Sequence, residues 1–164
     1  MSAFDSLVVG PGIGIDNDDW QKSKDYLIAF AGLLILDADA LNRISESKLG
    51  SNFFLERKFK TWITPHSKEF GRLFSNIKSK TNVGLARDAA KEFNISILLK
   101  GANSIVADNK KVWQLFGTDS KTARAGLGDL LSGFVAGSSA IDLTLCRNIS
   151  VSYTHLTLPT ILRV

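Results

Sequence analysis

Short apolar runs recur along the chain, and the stretches between them repeat their apolar positions every three or four residues. Ser6-Leu7-Val8-Val9, Leu33-Leu34-Ile35-Leu36, Thr61-Trp62-Ile63 and Ile95-Ser96-Ile97-Leu98-Leu99 are apolar in succession rather than in alternation. That is the pattern of strands buried on both faces. After the first run, Asp16 or Asp18 can cap a helix with Trp20, Leu27, Phe30 and Ala31 on its apolar side and Gly32 as its stop. Asp37 or Asp39 can cap another through Ala40-Leu41-Asn42. A helix from Ser67 carries Phe70, Leu73 and Phe74, and a further one carries Val83, Ala86, Ala90 and Phe93. Residues 104–115 differ in kind: Ile105-Val106-Ala107 and Val112-Trp113-Gln114-Leu115 flank Asp108-Asn109-Lys110-Lys111 and predict a hairpin. A helix is expected to open at Asp129 and run through Leu130, Leu131, Phe134 and Val135. Buried strands alternating with helices predict an α/β domain, a mostly parallel sheet with helices on both faces.

Composition narrows the function classes. The 164 residues are 45% hydrophobic and 22% charged, enough apolar material for one domain with a real core. The net charge of +4 suits an anionic small substrate. No dense Lys/Arg block appears and aromatics are not interleaved with bases, so no nucleic-acid partner is expected. Cys146 is the single cysteine, which excludes an internal disulfide and fits a reducing compartment. No basic leader and no continuous apolar stretch of membrane-spanning length occurs, so a cytoplasmic protein without a membrane partner is expected. Residues 150–164 break the rhythm, with strand-like alternation and no acidic residue. Residues 1–148 are therefore assigned to one domain, and 149–164 are left as an unassigned tail, foreign or disordered.

Every unusual cluster falls just after an apolar run, where open parallel sheets bind ligands. Gly10-Pro11-Gly12-Ile13-Gly14 follows the first run; it is either a close-approach surface for a phosphate or flat ring, or a tight strand-to-helix turn. Asp37 and Asp39 follow the second, as helix cap or as carboxylates toward Mg²⁺ or a ribose. His66, after Thr64-Pro65, is either a substrate contact or a cap paired with Glu69; with no second His or Cys nearby, no residue is assigned as a zinc ligand. Lys100-Gly101 ends the most apolar run, and Lys100 with Ala102, Asn103 and the Ser104 hydroxyl can meet a phosphate. Gly126 and Gly128 precede Asp129 at a helix N-terminus, a backbone nest suited to an anion. The helix end favours the ionised form of Asp129, which can cap the helix or take a proton from a hydroxyl attacking a phosphoryl group.

Taken together, the blocks V-V-G-P-G-I-G, L-I-L-D-A-D-A-L-N, W-I-T-P-H-S-K-E-F-G-R-L, I-L-L-K-G-A-N-S-I-V-A-D and A-G-L-G-D-L-L-S-G resemble the ADP/ATP-dependent NAD(P)H-hydrate dehydratases of the ribokinase-like superfamily. They run in the family's order across residues 6–137. The resemblance implies a three-layer α/β/α ribokinase-like fold and a metabolite-repair lyase. Such an enzyme would convert NADHX or NADPHX back to NAD(P)H with ADP or ATP as phosphoryl donor and Mg²⁺ as cofactor. Carried over by position, Asp129 is the catalytic base. Gly12, Gly14, His66 and Asp129 contact the hydrated dinucleotide, while Lys100, Gly101, Ala102, Asn103, Ser104, Gly126 and Gly128 contact the nucleotide. The family also implies a homo-oligomer. Only nine residues precede the G-P-G-I-G block, fewer than is usual, and the likeness stops near Cys146. An N-terminally truncated fold and a fragment of a longer protein are therefore expected. A thiamine-precursor type of small-alcohol kinase, or a non-catalytic nucleotide-binding remnant, shares the same features.

Overall fold

The computed structural model describes residues 6–14, 17–114, 133, 136 and 137. Six strands form one sheet in the order of the chain: β1 Ser6–Val9, β2 Leu33–Leu36, β3 Thr61–Ile63, β4 Ser96–Leu99, β5 Ile105–Ala107 and β6 Val112–Gln114. The first four are mutually parallel, and β5 and β6 add an antiparallel hairpin. Five helices lie between strands: α1 Asn17–Ala29, α2 Ala38–Glu46, α3 Asn52–Glu56, α4 Ser67–Leu73 and α5 Asn82–Phe93.

The pleat sorts strand side chains onto two faces. Leu34, Leu36, Ile63, Ile97, Leu99, Ile105 and Ala107 join Trp20, Leu41, Phe54, Phe70, Ala90 and other helix residues in the main core. Leu33, Ile35, Trp62, Leu98 and Val106 form a second buried cluster on the opposite face, with Ala136 packed against it. All five named helices thus share one face. Sequential strand order explains it: crossovers of a single hand that always step in one direction must return on one side of the sheet. Ala136, at a helical position, supplies the described contact on the other side, and its carbonyl accepts the Ser6 hydroxyl at 3.2 Å.

Three expectations are corrected. β1 is half-buried rather than buried, because it forms an edge of the described sheet. Asp18 lies inside α1 rather than at its cap, and Asp16 lies outside the described residues. The helix also stops at Ala29, before Gly32, leaving Phe30 half-buried and Ala31 exposed. Its last carbonyls are taken by Arg57, which is buried and donates to the carbonyls of Leu27, Ile28, Gly32 and Lys60 and to Thr61 Oγ1. Burial lowers the Arg57 pKa from its ordinary value to about 10, so the guanidinium remains charged at neutral pH and suits a helix C-terminus. The aromatic core, Phe53 edge-on to Phe54 and Phe54 near Phe74 and Phe93, had only its Phe70–Phe74 part legible in the helical spacing.

Gly10 fixes how closely β1 can follow β2. Its φ is +140°, and a Cβ there would sit 1.7 Å from the Asp37 carbonyl oxygen. Gly10→Ala is expected to destabilise the chain by about 2–4 kcal/mol, combining backbone strain with overpacking. Urea unfolding with a midpoint equal to that of the wild type would refute this.

Candidate active site

Parallel pairing sets the carboxyl ends of β1 to β4 side by side, and backbone hydrogen bonds extend the ladder past the strands. Asp37 N–H donates to the Val9 carbonyl at 3.1 Å, Thr64 N–H to Leu36 at 3.1 Å, and Lys100 N–H to Pro65 at 2.8 Å. The loops that carry the candidate residues therefore lie in one row. Across this row the Lys100 Nζ reaches Asp37 Oδ1 at 2.8 Å, joining the ends of β4 and β2. The Asp37 side chain is 3% exposed and that of Lys100 is 25% exposed. Asp37 also caps α2, accepting from Ala38 N–H at 2.8 Å, and Ala38 takes a left-handed φ of +45°. Between these strands, at the end of β3, the Thr64 hydroxyl is fully buried and without a hydrogen-bond partner. An unsatisfied buried hydroxyl is costly, and such groups concentrate where function has shaped a site.

The glycine loop is held from α2. Gly14 N–H donates to Asp39 Oδ2 at 3.2 Å, and Gly14 C=O accepts from Arg43 Nε at 3.1 Å and Nη2 at 2.7 Å. Gly12 and Gly14 have φ of +70° and +72°, which explains glycine at both. Asp39 is thus a loop anchor, and the paired carboxylates are used separately, Asp37 on Lys100 and Asp39 on Gly14.

His66 is the N-cap of α4. Its Nδ1 accepts from Lys68 N–H at 3.1 Å and Glu69 N–H at 3.3 Å, while Glu69 Oε2 accepts from His66 N–H at 2.8 Å, a reciprocal capping box. Accepting at Nδ1 places the proton of the neutral ring on Nε2, which lies 3.5 Å from Glu69 Oε1. The ring remains half exposed at the strand-end edge. On the next loop, Gly101, Ala102 and Asn103 are exposed, but Ser104 is fully buried. The Ser104 hydroxyl accepts from Gly101 N–H at 3.3 Å and donates to Gly101 C=O at 3.1 Å, so it closes the turn rather than facing a ligand.

Gly12, Gly14, His66 and the 100–104 loop are therefore brought to one edge. Asp129, Gly126 and Gly128 lie outside the described residues. Arg43 and Thr64 were not singled out from sequence. The spacing of four between Asp39 and Arg43 was the available signal for the first. Among the described residues no group of three His, Cys, Asp or Glu side chains could hold a metal ion, and no helix is long and apolar enough to cross a membrane. A cleft of about 250 Å³ lined by Ser45, Arg72, Phe74, Glu92 and Phe93 sits on the helical layer and includes none of the strand-end groups.

This arrangement is that of a ribokinase-like α/β protein. The chain superposes on an ADP/ATP-dependent NAD(P)H-hydrate dehydratase from Bacillus subtilis, co-crystallised with ATP/Mg²⁺, with a TM-score of 0.74 at 23% identity, covering 93% of this chain and 53% of that one. A ribokinase-like superfamily protein from Enterococcus faecalis gives 0.79 at 22% identity with the same coverages. Residues 1–153 match the family described as NAD(P)H-hydrate dehydratase, and the chain belongs to that family. It is 37% identical over 154 residues to the bifunctional NAD(P)H-hydrate repair enzyme Nnr of Gloeobacter violaceus, covering 90% of this chain and 28% of the relative. It is 32% identical over 144 residues to the ADP-dependent (S)-NAD(P)H-hydrate dehydratase of Xanthomonas campestris pv. campestris, covering 85% and 47%. The chain thus spans between about a quarter and a half of the length of these two relatives.

The Lys100–Asp37 pair yields a stability prediction. Lys100→Met alone leaves a buried carboxylate without its cation and should cost about 2–3 kcal/mol, tempered by the partial exposure of the lysine. The double change Lys100→Met with Asp37→Asn should recover part of that loss. Additive losses in a double-mutant cycle by chemical denaturation would show that the two side chains are not coupled.

Proposed function

We propose that this chain carries the strand-end part of an enzyme that dehydrates hydrated NADH and NADPH at the expense of ADP or ATP. The observation that supports it most is the gathering of the glycine loop, the Thr64-Pro65-His66 turn and the Lys100 loop at one sheet edge, in a chain of the NAD(P)H-hydrate dehydratase family. The activities for which the relatives from Xanthomonas campestris and Bacillus subtilis are named point the same way.

In this reading the hydrated dinucleotide lies against Gly12, Gly14 and His66, and the adenine nucleotide against the exposed backbone of residues 101–103. Lys100 supplies charge at the phosphates by exchanging its bond to Asp37, and Ser104 acts one layer back by holding the turn. Asp129 takes the proton from the C6 hydroxyl as that oxygen attacks the terminal phosphorus, and the phosphorus–bridging-oxygen bond breaks to release AMP or ADP. Gly126 and Gly128 offer amides to the transferring group. The carbon–oxygen bond then breaks toward inorganic phosphate, driven by the ring nitrogen lone pair, and loss of the neighbouring ring proton restores NAD(P)H. A magnesium ion, when bound, would neutralise phosphate charge. Residues 1–148 form the domain in this reading, close to where the family match ends at 153. The protein acts in the cytoplasm as a homo-oligomer, without nucleic acid.

Incubation of the purified chain with NADHX and ADP or ATP should restore the near-ultraviolet absorbance of reduced nicotinamide. Absence of recovery with either nucleotide sinks the reading, and accumulation of a stable phosphate ester would mark a kinase instead. Asp129→Asn should abolish turnover with nucleotide affinity kept within about tenfold, about 1.4 kcal/mol. A near-normal rate in that variant removes Asp129 from the mechanism.

The two roles of His66 separate by substitution. His66→Asn retains a good cap and should lose under about 0.5 kcal/mol, whereas His66→Ala should lose about 1 kcal/mol. Both should raise the KM for the hydrated dinucleotide. An unchanged KM in His66→Asn would leave His66 as a cap only.

A further inference from the structure

Gly14 has both of its backbone polar groups held by α2. Its N–H is given to Asp39 and its carbonyl receives two bonds from Arg43, which is 4% exposed. Asp39 and Arg43 stand four apart, so one helix face presents an acceptor and a planar donor fork together. The match is two-sided, since a carboxylate can take only the N–H and a guanidinium only the C=O. Among the described residues neither Gly12 nor Gly14 is crowded: a Cβ at either would meet nothing within 4 Å. Glycine is required there by the positive φ that the clamp imposes and not by a close neighbour.

The clamp changes what the loop can offer a ligand. A glycine turn recognises phosphate through free amides. Here the Gly14 amide is committed to a carboxylate, so it is not available to a phosphate. Ile13 N–H is likewise turned inward, to the Gly10 carbonyl at 3.3 Å. The Ile13 side chain faces outward, 46% exposed and carried between two glycines at the strand-end edge.

We infer that residues 12–14 form an apolar platform for the uncharged ring portion of the dinucleotide, with Ile13 as the contact residue and Asp39 and Arg43 as positioning residues that hold the platform. The ligand's identity rests on the proposed function; the clamp does not. Amide hydrogen exchange and titration with NADHX, ADP and inorganic pyrophosphate test the two parts separately. Asp39→Ala and Arg43→Met should each speed exchange of the Gly14 amide by about tenfold or more, as a local opening would. Asp39→Asn should not, because its amide oxygen still accepts, and it should rescue the NADHX affinity that Asp39→Ala loses. Ile13→Ser, at an exposed position, should leave exchange unchanged and weaken NADHX binding about tenfold, the effect of losing one apolar contact. Its affinities for ADP and pyrophosphate should stay at wild-type values. Unaltered Gly14 exchange in Asp39→Ala overturns the clamp. Unaltered NADHX affinity in Ile13→Ser, or an equal loss toward pyrophosphate, overturns the platform. A wild-type chain that binds ADP but not NADHX overturns the platform and the proposed substrate together, while the exchange data still decide the clamp.

Discussion

A parallel strand cannot be reached by a hairpin, so each of the three connections from β1 to β4 must carry the chain back across the full depth of the sheet. With strand order equal to chain order, each of these three returns runs over the same face, and β1 to β4 all end at the same edge. The three backbone bonds that continue the ladder beyond Val9, Leu36 and Pro65 make this edge a continuous rim rather than a row of independent loops. Gly10 is where the constraint is tightest, because the Asp37 carbonyl occupies the space any side chain would need. The site therefore depends on sheet pairing first and on side-chain chemistry second.

How much of this could be read from the sequence follows from the range of each interaction. β2, β3 and β4 were legible because uninterrupted apolar runs are a local signal that burial on both faces demands. The end of α1 was not, because it is set by Arg57, some thirty residues away, supplying partners to the last carbonyls. The His66–Glu69 spacing was visible, but its capping box uses an imidazole where serine or threonine is usual, so the pattern left capping and ligand contact equally open. The spacing of Arg43 from Asp39 was a local signal, but its partner was not legible, since Gly14 lies on a loop 29 positions earlier and only the fold brings them together. The placement of α1 to α5 on one face also could not come from periodicity, which shows that a helix is amphipathic and not which side of a sheet receives it.

The charges at the rim deserve the same separation of fold from chemistry. Asp37 is answered by Lys100, Asp39 by the Gly14 amide, and Glu69 by the His66 amide. Asp37 and Asp39 bind donors from other elements and so fix loops, while Glu69 closes the first turn of its own helix. The buried Asp37–Lys100 pair adds little net stability, since desolvation offsets most of the attraction, but breaking it leaves a charge that the surroundings cannot accommodate. The effect of these bonds is to lock geometry while hiding negative charge from a crevice that, in the proposed reading, receives two anionic ligands. A carboxylate so committed makes a poor base, because taking a proton would release the loop it holds. Proton transfer is then better placed on a group brought from elsewhere in the chain, the role that the proposed function gives Asp129.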